Sequence, residues 1–269
     1  MATVNVLLLR APGTNCDQEA CHAFELAGAR PTRVHVNAVV ESPTLLADYQ
    51  VLVVPGGFSY GDDVAAGKIL ANELRISLAD HLRKFRDSGK LIIGICNGFQ
   101  VLIKSGLLPG WDDGDGATQP ATLANNDSGK FEDRWIHMIA EPGNCVFLQG
   151  VNRLDLPIAH GEGKFVCRDE TILTRLRSQE LIVLRYAADD SSVTQPATVN
   201  PQLLSYPINP NGSQANIAGI CDVTGRVFGL MPHPERCVDA TQHPQWTRRR
   251  APDTGDGLAI FQNATRYFA

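Results

Sequence analysis

Apolar residues along the chain fall into two patterns. Short aliphatic runs at 4–9, 51–54 and 91–95 are bounded by turn residues; runs of this length and kind read as strands, and the unbroken ones as strands buried on both faces. A further strand is predicted over 33–36. Between the runs the spacing becomes helical. Asn15 offers an N-cap for a helix to about residue 27, which Gly28 can end. Ile69, Leu70, Leu74, Leu78, Leu82 and Phe85 mark the apolar face of a helix over 64–86, closed by Ser88 and Gly89. Strand–helix–strand order predicts a parallel sheet with helices on both faces, and sites at the carboxyl ends of its strands.

The second half is less regular. Residues 109–130 are rich in Gly, Asp, Pro and Asn and read as a long loop, and 189–212 as another. Strands are expected over 135–140, 145–148 and 181–186. Segments 217–223 and 227–230, joined at Thr224 and Gly225, read as a hairpin returning to the core. A helix over 257–268 closes the chain. The expected fold class is α/β, a mostly parallel central sheet with helices on both faces and an additional antiparallel strand region. No repeat or linker divides it, so residues 1–269 are expected to form a single domain.

Composition narrows the function classes. Of 269 residues 43% are hydrophobic and 20% charged, which suits a globular fold. A net charge of −5 gives no electrostatic reason to expect nucleic acid or an anionic membrane as partner. The triplet Arg248, Arg249, Arg250 is short and reads as a solvated or partner-facing patch rather than a nucleic-acid site. No apolar run approaches the ~20 residues of a membrane span, and 4–9 is too short for a signal-peptide core, so a cytoplasmic location is expected. The seven cysteines are odd in number and contain no C-x-x-C pair; neither a disulfide framework nor a metal site is expected.

The chemistry is concentrated in three turns. G-I-C-N-G-F-Q at 94–100 follows the third aliphatic run and repeats the logic of a nucleophile elbow. Its glycines permit the sharp turn, and the thiol of Cys96 stands at the start of a helix, whose positive end favours a thiolate. An isolated cysteine is more often a small buried hydrophobe. The segment P-H-P-E-R at 232–236 changes that balance. A cysteine nucleophile needs a base, and the base an orienting group. On extended chain His233 and Glu235 leave on the same side, so Cys96, His233 and Glu235 make a candidate triad. The turn P-G-G-F-S-Y-G-D-D at 55–63 ends another strand. Its Gly57 amide and that of Asn97 are candidate oxyanion donors, against the plain alternative of a connecting turn. The sequence G-D-D-V-A-A-G-K-I at 61–69 invites a phosphate-loop reading and fails it: five residues separate its glycines, not four, and Ile69 stands where a Ser or Thr is needed.

Taken together, these motifs resemble a class I (triad) glutamine amidotransferase. The segments R-A-P-G-T-N-C-D at 10–17, K-F-E-D-R-W at 130–135, P-I-A-H-G-E-G at 157–163 and N-P-N-G-S at 209–213 are similar to one branch, the glutaminase subunits of phosphoribosylformylglycinamidine synthase in purine biosynthesis. The resemblance implies a flavodoxin-like fold and hydrolysis of glutamine to glutamate and ammonia through a thioester. Cys96 would be the nucleophile, His233 the acid/base, Glu235 its orienter, and Gly57 and Asn97 the oxyanion donors. Gln100, Asn125, Arg134 and His160 would bind glutamine. The implied partners are an ATP-dependent synthetase subunit, carrying ATP and magnesium, and the small third subunit that many such complexes have; no cofactor is implied in this chain. Loops near 109–124, 189–207 and 237–256 look longer than the compact pattern needs. Other hydrolases on this scaffold, another amidotransferase complex, and a non-catalytic regulatory subunit are the competing readings.

Overall fold

The architecture rests on eleven strands and seven α-helices, seen in a computed structural model that describes residues 3–111, 119–189, 203–248 and 254–269. In chain order they are β1 (Asn5–Arg10), α1 (Asp17–Leu26), β2 (Arg30–His35), α2 (Val36–Glu41), β3 (Val51–Val54), α3 (Lys68–Glu73), α4 (Ala79–Asp87), β4 (Leu91–Ile95) and α5 (Asn97–Ser105). There follow β5 (Ala121–Ala124), β6 (Glu132–Ala140), β7 (Arg153–His160), β8 (Lys164–Cys167), α6 (Glu170–Ser178), β9 (Ile182–Ala187), β10 (Ile217–Cys221), β11 (Val227–Leu230) and α7 (Leu258–Arg266).

One nine-stranded sheet runs in the order β2-β1-β3-β4-β11-β10-β9-β6-β7, and β5 and β8 form a separate two-stranded antiparallel sheet. Strands β2, β1, β3, β4 and β11 are mutually parallel; beyond β11 every pairing is antiparallel. The expected α/β sheet and antiparallel region are thus one continuous surface. β3, β4 and β11 are buried along their whole length, and β3 accordingly reads as an unbroken aliphatic run. β7 alternates between buried and half-buried positions, as a strand with one covered face must.

Several local expectations are corrected. The helix expected over 64–86 is broken. Gly67 adopts φ +70° immediately before α3, and a π-helical turn at Leu74–Leu78 separates α3 from α4. Helix α1 starts at Asp17, with Cys16 rather than Asn15 in the cap position and no side-chain cap. Residues 145–148 form a 3-10 turn, Val146–Leu148, instead of a strand. The loop near 109–124 ends in β5, paired with β8. Its residues 112–118 lie outside the described residues, as do 190–202 of the loop near 189–207 and 249–253 of the stretch 237–256. β7, β8 and α6 were not foreseen. Pro157 argues against a central strand, but β7 is an edge strand, where the missing N–H costs nothing. Among the described residues no helix is long and apolar enough to cross a membrane.

Candidate active site

Because β3, β4 and β11 are neighbours and parallel, their carboxyl ends lie side by side. The chain leaves β3 into Gly56 and Gly57, β4 into Cys96, and β11 into the turn carrying His233 and Glu235. Residues far apart in sequence are therefore brought to one lip of the sheet.

Cys96 has φ 51° and ψ −105°, a conformation that costs an L-residue energy and is characteristic of a nucleophile elbow. It is held by a hydrogen bond from its amide to the Leu230 carbonyl of β11 (2.8 Å). Gly98 allows the elbow to close on β3: a Cβ there would lie 1.8 Å from the Val54 carbonyl oxygen. The Cys96 sulfur lies 3.7 Å from the Ala159 carbonyl oxygen, so the end of β7 covers the site. The His233 amide donates to the Pro157 carbonyl of the same strand (2.9 Å).

His233 Nδ1 is 2.6 Å from Glu235 Oε1, and both residues are buried. The pair does not arise from extended chain, as the sequence suggested: Pro234–Arg236 forms a 3-10 turn that folds Glu235 back onto the ring. With Nδ1 committed to the carboxylate, Nε2 is left buried and without a conventional hydrogen bond. Burial alone would depress the imidazolium, but the Glu235 carboxylate, then the Cys96 and Cys16 sulfurs, outweigh it and hold His233 well above its ordinary value. The ring is thus within the electrostatic reach of Cys96.

The oxyanion candidates meet the same lip. Gly57 has φ +142°. Among the described residues neither its amide nor that of Asn97 is taken by a loop carbonyl, and the Asn97 amide is one of the free donors at the start of α5. The Asn97 side chain registers the two turns: its Oδ1 accepts from the Ser59 amide (3.2 Å), and its Nδ2 donates to Asp62 Oδ1 (3.1 Å) and Gln100 Oε1 (2.9 Å). Burial raises Asp62 above the ordinary carboxylate range. Gln100 in turn donates to the Glu162 carbonyl (2.6 Å), so both ends of its side chain are engaged within the protein.

The remaining expected residues divide. His160 is buried at the end of β7. Asn126, not Asn125, meets it. Asn125 is exposed, whereas Asn126 Nδ2 donates to the carbonyls of Lys130 (2.9 Å) and His160 (2.8 Å). Asn126 Oδ1 accepts from the Gly163 amide (3.0 Å) and lies 3.1 Å from His160 Nδ1. An oxygen so placed makes Nδ1 the protonated nitrogen of a neutral ring, and leaves Nε2 a buried acceptor with no partner. Burial, then the nearby His233 charge, lowers His160 to about 4. Arg134 lies on β6, half-buried, and is engaged by Glu132 and the Tyr206 hydroxyl.

Cys16 was not singled out by sequence reasoning, although it stands in the 10–17 segment. Its sulfur, a His233 nitrogen and a Glu235 oxygen all lie within 4.8 Å of one another. Among the described residues this is the one set spaced to hold a metal ion, and its thiol and imidazole would suit a soft divalent cation. Nδ1 and Oε1 are already bonded to each other, so we read the set as a hydrogen-bonded cluster.

Comparison with known proteins places the chain in a family. The family model described as a CobB/CobQ-like glutamine amidotransferase domain matches residues 3–268. The phosphoribosylformylglycinamidine synthase subunit PurQ of Dehalococcoides mccartyi is 48% identical, over 99% of this chain and 98% of the relative. The subunit of the same name from Methanococcus maripaludis is 42% identical over 98% and 97%. The solved structure of PurLQS from Thermotoga maritima contains a chain that superposes with a TM-score of 0.72 at 33% identity, each chain covered fully. The family model and these relatives span nearly the whole chain, and the chain belongs to the PurQ family of glutamine amidotransferase subunits.

Proposed function

We propose that this chain is the glutaminase subunit of a phosphoribosylformylglycinamidine synthase, hydrolysing glutamine and passing ammonia to a synthetase subunit. The synthetase would use it, with ATP and magnesium, to convert formylglycinamide ribonucleotide to the amidine. The observation that carries the reading is the buried 2.6 Å His233–Glu235 pair beside Cys96. Relatives named as PurQ subunits, spanning nearly the whole chain, supply the substrate class. The chain would act as one domain in the cytoplasm, with a small third subunit in the complex and no cofactor of its own.

In the proposed sequence the Cys96 thiolate attacks the side-chain amide carbon of glutamine. Negative charge moves to the carbonyl oxygen, toward the amides of Gly57 and Asn97. The C–N bond breaks as His233 gives its proton to the departing ammonia, leaving a γ-glutamyl thioester. Water then adds to the thioester carbon, with His233 removing its proton, and the C–S bond breaks to release glutamate and restore the thiolate. Glu235 keeps Nδ1 protonated so that Nε2 faces the sulfur. Gln100 and Arg134 shape the glutamine pocket, and the free Nε2 of His160 is suited to accept an N–H of the substrate.

Replacement of Cys96 tests the reading in the assembled complex. The Cys96→Ala enzyme should lose glutamine-dependent amidine synthesis while synthesis from added ammonia continues. Loss of both activities, or survival of the glutamine-dependent one, would overturn it.

A further inference from the structure

The loop before α1 is fastened to the oxyanion turn. The amides of Asn15 and Cys16 both donate to the Gly56 carbonyl (3.4 and 3.3 Å), and the Phe58 amide donates to the Gly13 carbonyl (3.0 Å). From this loop Cys16 reaches toward the triad. It is 1% exposed. Its thiol donates to Asn15 Oδ1 (3.1 Å), and its sulfur accepts from an Arg236 guanidinium nitrogen (3.2 Å). The thiol proton is thus committed, and the sulfur, within 4.8 Å of a His233 nitrogen, offers only lone pairs to that imidazole. The packing has no slack: a Cβ on Gly56 would lie 2.9 Å from His233 Cε1 and 3.1 Å from the Cys16 sulfur.

We propose that Cys16 is a positioning residue for glutamine hydrolysis, its sulfur fixing the His233 ring against the oxyanion turn and supporting the ring's protonated form. The proposal rests on the reading of Cys96 and His233 given above. The charged and titratable groups around His233 come from every packed element: Glu235 from its own turn and Cys96 from the elbow favour the protonated ring, Cys16 from the N-terminal loop adds to them, His160 from β7 opposes a second charge, and Arg236 beside the turn faces Cys16 and Glu235. Of these neighbours, Cys16 also belongs to the loop that carries the Gly56 contact, and so couples the base to the oxyanion donor. Burial raises the Cys16 thiol, which keeps it neutral and leaves the thiolate role to Cys96. Removing its lone pairs weakens support for the imidazolium, and with it the thiolate that the imidazolium stabilises.

The test uses the assembled complex with Cys16→Ala and Cys16→Ser. Three readouts apply: kcat and KM for glutamine across pH, the rate at which iodoacetamide alkylates the Cys96 peptide, and the melting temperature. Cys16→Ala should lower kcat about tenfold with KM changed less than about twofold, and should slow Cys96 alkylation below neutral pH by about threefold or more. Cys16→Ser keeps a donor and an acceptor and should recover much of both losses. A Cys16→Ala enzyme equal to wild type in kcat and alkylation would overturn the proposal. So would equal losses in the two variants, which would show that only side-chain volume matters. If Cys16→Ala does not fold, Cys16→Val takes its place, filling the volume with no polar group and carrying the same expectations. The alkylation rates judge Cys16 even if the wild-type complex releases no glutamate, an outcome that would remove the glutaminase reading instead.

Discussion

Glu235 makes a single committed bond to the imidazole, and its chemistry depends on charge as well as shape. The carboxylate oxygen at 2.6 Å both selects the Nδ1–H tautomer and supports the imidazolium. An amide in its place can present N–H to Nδ1 and invert the tautomer. Glu235→Gln should therefore lower kcat for glutamine hydrolysis by about 10²-fold or more while KM changes little, measured as glutamate release by the complex. His160 makes the opposite case, a buried ring kept neutral. Its folded value of about 4 lies below the ordinary 6.5, so on acidification the unfolded chain takes up its proton first. The stabilisation is present above about pH 6.5 and is lost as pH falls toward 4. Between about pH 7 and pH 5 the loss amounts to about 2 kcal/mol. His233 adds no slope in the lower part of that window, because a ring raised above its ordinary value is protonated in both states there. Urea unfolding at both pH values should show a shallower acid loss for His160→Gln than for wild type; equal slopes would assign the acid sensitivity elsewhere.

At the scale of elements, what could be read from the sequence follows burial. β3, β4 and β11 are covered on both faces; the aliphatic runs of β3 and β4 and the hairpin pattern of β11 announce them, and with them the three turns of the site. The elbow was legible because its glycines have a steric reason that survives without coordinates, as Gly98 against Val54 shows. The helix over 64–86 misled because an apolar stripe does not report that Gly67 takes a left-handed conformation. The role of Asn126 was not legible: a motif locates a segment, but only strand pairing decides that Asn126 turns inward while Asn125 faces solvent. Cys16 was hidden because its partner lies on the far side of the sequence, in contact only once β1, β3 and β11 are assembled. The difference between the two asparagines is testable. Asn126 ties the end of β5 to His160 and Gly163 through buried bonds. Asn126→Ala should destabilise by about 2–3 kcal/mol through unpaired buried groups. Asn125→Ala, at an exposed position, should stay within about 0.5 kcal/mol. Chemical denaturation of both variants separates them.

For the molecule as a whole, the arrangement of the site argues that glutamine does not enter freely. Cys96 is 5% exposed and His233 2%. The segment between β7 and β8 is latched across the elbow by the Gln100–Glu162 carbonyl bond (2.6 Å) and by the Ala66 amide to Glu162 Oε2 (3.2 Å). Lys104 Nζ sits 3.8 Å from the same carboxylate. A thiol kept behind such a latch hydrolyses little glutamine until something shifts the latch, which prevents loss of ammonia when no acceptor is present. The synthetase must receive that ammonia, so its docking is the natural trigger. The isolated chain should accordingly release glutamate at least about tenfold more slowly than the assembled complex, since closure of this kind commonly gates turnover. Glu162→Ala should narrow that gap by raising the partner-independent rate, because it removes the carboxylate contacts while leaving the backbone carbonyl that Gln100 uses. Full activity of the isolated wild-type chain would show that the latch opens on its own. An unchanged gap in Glu162→Ala would place control in the Gln100 bond or outside this segment.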